Sequence, residues 1–136
     1  MYMKTLFLSI IFTSVFFLII DVIWLSFSVK SFYRPNLGNL ILDKPIMWAA
    51  ILFYLVYVIG LSILVLQPAI DQNSIFKAFF TGIIFGLAAY GTYNLTNMAT
   101  IKDWSTKVVF VDMIWGGILT GSSCALGLYI TKKFFA

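Results

Sequence analysis

The chain is 136 residues long, 62% hydrophobic and only 10% charged, with a formal net charge of +4. A soluble domain carries roughly 25% charged residues, so the composition excludes that class and makes the bilayer the solvent. Histidine and glutamate are absent and there is one cysteine, Cys124. The usual zinc, di-iron and haem ligand sets, histidine-based triads and an intrachain disulfide are thereby excluded.

A helix needs roughly 20 predominantly apolar residues to cross a bilayer. Four stretches qualify: residues 5–27, 47–66, 75–95 and 107–130. They predict an all-α, integral membrane four-helix bundle, a single domain over residues 1–136. Lys4 ahead of the first run has the look of a secretory signal, but the run is too long, lacks a small-residue cleavage site and carries Asp21 late. The expectation is that this helix is retained.

Pro35 and Pro45 bracket the first loop, and Pro45 is placed to open the second helix. The long first loop, with Phe32, Tyr33, Arg34 and the residues from Leu37 to Leu42, is expected to lie in the interface and cover the mouth of the bundle. The run Gln67-Pro68-Ala69-Ile70-Asp71-Gln72-Asn73 is read as ending the second helix. After the third, Asp103 or Ser105 is available as a cap for the fourth. Trp48, Trp104, Tyr33 and Tyr129 lie near the expected ends, where aromatic belts belong.

Four spans put Lys4, Lys77, Lys132 and Lys133 on one side, and Lys30, Arg34, Lys44, Lys102 and Lys107 on the other. Four cations against five decide no orientation under the positive-inside rule. The cations sit in short connecting segments. That suits anchoring to the lipid bilayer as partner and excludes nucleic acid, which needs a basic face or stripe.

Alternating helix direction brings the polar residues to one level. Asp21 lies six residues before the expected end of the first span and Asp112 five residues into the fourth. Each is therefore roughly 8–9 Å from the same membrane face, at 1.5 Å per residue. Tyr54 and Tyr57 occupy the matching half of the second span. The third delivers Tyr90-Gly91-Thr92-Tyr93-Asn94-Leu95-Thr96-Asn97 there. Ser14, Phe17, Asp21, Trp24 and Ser28 share one helix face, and Gly82, Gly86, Tyr90, Tyr93 and Asn97 another. Gly82-x-x-x-Gly86 and Gly117-x-x-x-Gly121 offer small surfaces for close approach of the third and fourth helices. The string Asp21-Val22-Ile23-Trp24 recurs as Asp112-Met113-Ile114-Trp115, each pair placing an aspartate and a tryptophan on one face.

An aspartate at the centre of a bilayer costs roughly 2.5–3.5 kcal/mol on insertion scales and commonly marks a pathway, a relay or a ligand contact. The candidate ligand, proton or ion site is therefore Asp21, Trp24, Tyr54, Tyr57, Tyr90, Thr92, Tyr93, Asn94, Asn97, Asp112 and Trp115, with no catalytic residue, metal ligand or cofactor assigned. A structural network of tryptophan and tyrosine donors on the two carboxylates is the plainer reading of the same residues.

The run from Tyr90 to Thr100, with Trp104, Asp112-x-x-Trp115-Gly116, Asp21-x-x-Trp24-Leu25, Tyr54 and Pro68-Ala69, resembles an uncharacterised family of predicted bacterial inner-membrane proteins, a domain of unknown function. The resemblance spans nearly the whole chain. It implies a multi-pass four-helix protein of a bacterial inner membrane, with aspartate often standing at the position of Asn94, and it supplies no substrate. The leading expectation is a unit that binds or transports a small molecule or ion, working as a homo-oligomer if it transports. A membrane enzyme acting on a lipid or isoprenoid and a structural or accessory subunit are the alternatives.

Overall fold

The computed structural model describes residues 1–135. Among these the chain is helical throughout, with no strand. Six α-helices follow in order: α1 Tyr2–Ser28, α2 Arg34–Leu37, α3 Met47–Leu61, α4 Gln67–Asp71, α5 Ile75–Thr100 and α6 Thr106–Phe134. They join into four rods long and apolar enough to cross a membrane: Tyr2–Leu40, Met47–Asp71, Ile75–Thr100 and Thr106–Phe134.

Every rod runs past the end read from hydropathy, and the first two do so for one reason. Pro35 and Pro68 lack the N–H that would bond the carbonyl four residues back, and a proline ring clashes with that carbonyl. In both cases the preceding turn widens to π geometry, over Val29–Tyr33 and Ser62–Leu66. The N–H before each proline then bonds one residue further back, Arg34 to Val29 and Gln67 to Ser62. The helix bypasses the proline instead of stopping, so the first loop is largely a helical extension to Leu40 and Pro68 lies inside the second rod. Pro45 stands one residue before the cap Ile46, not at the first helical position. Ser74 caps α5 by accepting from the Lys77 N–H at 3.0 Å, and Ser105 caps α6 by accepting from Val108 at 3.3 Å.

The centre of the bundle is α6, which packs along both α5 and α1. Glycine makes the approach close. A Cβ on Gly86 would stand 2.2 Å from the Gly116 carbonyl oxygen, and one on Gly82 would stand 2.8 Å from the Gly121 Cα. On the α1 side, a Cβ on Gly127 would meet the Thr13 backbone nitrogen at 2.6 Å. Lipid tails are as apolar as leucine, so helix association in a bilayer depends on such backbone proximity and on interhelical hydrogen bonds.

The second rod behaves differently. It is held to its neighbours through Ser62–Leu66 and α4, whereas α3 touches them sparsely. Only Tyr57 and Leu61 of α3 are buried. Its flank carries Ile51, Phe53, Tyr54 and Leu55 where α5 and α6 carry glycine, so it stands off from the bundle. The apolar side chains left on the outer surface, Ile51, Leu52, Val56 and Ile59 among them, suit contact with acyl chains.

Candidate functional site

Two Asp-x-x-Trp strings face each other across the α1–α6 contact. The helices are antiparallel, so the aspartate of each string stands at the level of the other's tryptophan. The Trp24 and Trp115 rings stack between them, centroids 4.5 Å apart and 18° from parallel. Trp115 Nε1–H donates to Asp21 Oδ1 at 3.2 Å. The reciprocal contact is relayed: Trp24 Nε1–H donates to the Tyr33 hydroxyl at 3.2 Å, and that hydroxyl donates to Asp112 Oδ1 at 2.6 Å. The repeated string is thus a nearly two-fold crossing with Tyr33 inserted in one arm.

Tyr33 reaches this position through the π turn. Nine residues of a regular helix turn about 900°, which would leave Tyr33 on the face opposite Trp24. One extra residue in the turn offsets the residues beyond it by about 100° and bends the axis, which brings the phenol inward. Sequence reading placed Tyr33 in an aromatic belt. The pairing of Pro35 with an upstream polar face was the only signal available for its inward turn.

On α5 the inward row runs in steps of four: Ala78, Gly82, Gly86, Tyr90 and Asn94. Tyr90 lays its ring against Gly116, where a Cβ would come within 2.2 Å of it. Asn94 is completely buried; its Nδ2 donates to Asp112 Oδ2 at 2.7 Å and to the Tyr90 carbonyl at 2.9 Å. The expected face through Tyr93 and Asn97 is displaced, because the row drifts by about 40° per four-residue step as α5 crosses α6. Tyr93 is exposed and meets Trp104 edge-on at 5.9 Å. Thr92 is also exposed and bonds back to Ala88 of its own helix at 2.6 Å. Asn97 is half-buried, one turn beyond the network.

Tyr57 and Tyr54 join the polar column deeper in the bundle. Tyr57 shares a 2.7 Å hydrogen bond with Thr120, which lies eight residues, ~12 Å of helix, beyond Asp112. Its ring stands edge-on to Tyr90 at 6.3 Å. The Tyr54 hydroxyl donates to the Ser14 carbonyl of α1. Of the candidate residues, then, Asp21, Trp24, Tyr90, Asn94, Asp112 and Trp115 form one connected cluster, Tyr54 and Tyr57 extend it, Tyr93 stands at its exposed edge beside the Asp112 recesses, and Thr92 and Asn97 stay outside. Tyr33, Phe53 and Thr120 are added to it.

Where α3 stands off, two cavities open, both walled by Phe53. One, of about 390 Å³, is lined by Phe17, Asp21, Ala50, Ile51 and Tyr54 among others. The other, of about 350 Å³, is lined by Ala89, Tyr90, Tyr93 and Asp112. Each apolar recess therefore has one of the two aspartates in its wall. A third, smaller recess reaches Asp112 from the membrane face, beneath Tyr33, Leu37 and Ile41 and beside Trp104. Neither aspartate has a lysine or arginine partner: among the described residues the one ion pair is Arg34–Asp43 at 3.3 Å, between the helical extension and the exposed loop after it. Buried Asn94 Oδ1 and Trp104 Nε1 likewise have no hydrogen-bond partner.

Four apolar rods, a carboxylate cluster inside them and a cleft between rods define a multi-pass membrane protein with an intramembrane polar centre. The chain belongs to the family described as predicted membrane protein (DUF2177), which matches residues 6–129. No curated protein and no solved structure is similar to it at a significant level.

Proposed function

We propose that this protein binds or transports a small molecule or ion in a bacterial inner membrane, with Asp21 and Asp112 as its proton or cation sites. The observation that carries the reading is the pairing of each recess beside Phe53 with one aspartate that has no cationic partner. Recesses of about 390 Å³ and 350 Å³ have the size of small-molecule sites, which are mostly apolar with a few placed polar groups. A purely structural carboxylate in a bilayer is best served by a wall of donors on every side. Here one donor, Trp115, reaches Asp21, and the carboxylate lines the larger recess.

A structural clamp is the second reading, and it has its own support. Hydrogen bonds from Tyr33, Asn94 and Trp115 tie the first, third and fourth rods together around the two carboxylates. Native mass spectrometry of the protein released gently from its own membrane separates the two, with the Asp21→Asn form run beside it. A retained small molecule that disappears in the variant is the expected result. Bare protein in both samples, with the variant less stable, overturns the binding reading and leaves the clamp.

A further inference from the structure

The two aspartates differ in how fully they are hydrogen-bonded. Asp112 accepts at both oxygens, from Tyr33 at 2.6 Å and from Asn94 at 2.7 Å. Asp21 accepts only at Oδ1, from Trp115, and it lines the larger recess. That recess is otherwise walled by Phe17, Leu18, Ala50, Ile51, Phe53 and Leu55, with Met47 and Tyr54 at its ends. From these residues we infer the class of ligand: a monovalent organic cation bearing apolar groups, which enters sideways from the lipid with its charged centre against Asp21. The inference rests on the binding reading above and narrows it.

Three observations favour this occupant over others. A bare metal cation requires about six oxygen ligands, and the walls around Asp21 supply carbon. An anion or a neutral lipid tail offers Asp21 no counter-charge, so the carboxyl would stay charged in an apolar recess, which is unfavourable, or take up a proton; a cation is the occupant that pairs with the carboxylate. An organic cation carries its own apolar shell, is weakly hydrated, and finds three aromatic side chains, Phe17, Phe53 and Tyr54, in the wall of the recess. Access is lateral because α3 stands off from the bundle along the length that forms this wall.

The test uses the whole chain in lipid nanodiscs. Equilibrium binding of radiolabelled tetraphenylphosphonium is measured over empty-nanodisc background, with unlabelled tetraphenylborate, of nearly the same shape and opposite charge, as competitor. The expected result is saturable binding of the phosphonium, not displaced by the borate and weakened at least about tenfold in Asp21→Asn. Ala50→Trp is a second variant. It fills the recess from α3, away from the α1–α6 hydrogen bonds, and is expected to weaken binding by a similar factor. Unchanged phosphonium binding in a folded Asp21→Asn protein overturns the assignment. Equal binding of both ions, lost in Ala50→Trp, overturns the cation class while leaving a ligand site in the cleft. No saturable binding of either ion overturns the class. The binding reading itself then falls only if native mass spectrometry also finds the protein bare.

Discussion

Tyr33 is the residue on which the polar centre turns, since its single hydroxyl accepts from Trp24 and donates to Asp112. Tyr33→Phe keeps the ring against Trp24 and Phe32 but removes both bonds. Interhelical hydrogen bonds in membranes average ~0.6 kcal/mol, with a maximum near 1.7. Losing the bond to Asp112 between rods and the Trp24 bond within the first rod therefore lowers unfolding stability in bicelles by about 1–2 kcal/mol, as read from a denaturation curve. Trp115→Phe removes one bond, to Asp21, keeps a stacked ring on Trp24, and is expected to cost about half as much. Equal stability of both variants and the parent would show that the network orders the site without holding the fold. These residues differed in how far they could be read in advance. The aspartates and tryptophans stood out because charge and indole are rare in an apolar run. The depth of each came from counting residues along alternating helices. Tyr33 did not stand out, because its inward direction depends on a turn that Pro35 widens, and a proline in a connecting segment reads first as a helix end.

At the scale of helices, small residues decide which rods touch. Glycines 82, 86, 116, 117 and 121 let α5 and α6 meet at backbone distance. Gly86→Ala would press a methyl group into the Gly116 carbonyl at 2.2 Å, and backbone has no room to give. The expected cost is about 1–3 kcal/mol of stability, the range for overpacking. Gly60→Ala is the matched control. Its new Cβ would meet only the tip of the Phe85 ring at 2.9 Å, which a χ rotation relieves, so less than about 1 kcal/mol is expected. Both values come from the same denaturation measurement. The α5–α6 contact was legible in the spacing of Gly82 with Gly86 and Gly117 with Gly121. Its counterpart on the other side, Gly127 against Thr13, was not, because a lone glycine in a membrane helix has many uses. The expected face of α5 was also wrong in its upper half, where Asn94 replaces Tyr93 and Asn97. A stripe in steps of three and a stripe in steps of four begin from the same residues, and only the crossing with α6 selects between them.

At the scale of the molecule, the start of α1 and the end of α6 lie at one end of the bundle, and the helical extension and the α5–α6 turn at the other. Single cysteines at Met3 and Gln72 are expected to react with a membrane-impermeant maleimide from one side, and those at Asn39 and Lys102 from the opposite side. Native Cys124 is buried and should stay unlabelled until the protein is denatured. Labelling of Asn39 together with Met3 would contradict the four-span topology. Composition and spacing alone call for a membrane as solvent, four spans and one shared level for the two carboxylates, because hydrophobicity and residue count act locally along each helix. The tertiary structure is needed to show that the two Asp-x-x-Trp strings cross head to tail, that Asp112 is hydrogen-bonded at both oxygens while Asp21 is bonded at one, and that α3 stands off from the other rods. Those outcomes depend on how helix faces meet, which is settled by backbone approach at glycine between segments and by where each turn widened ahead of proline aims the residues beyond it.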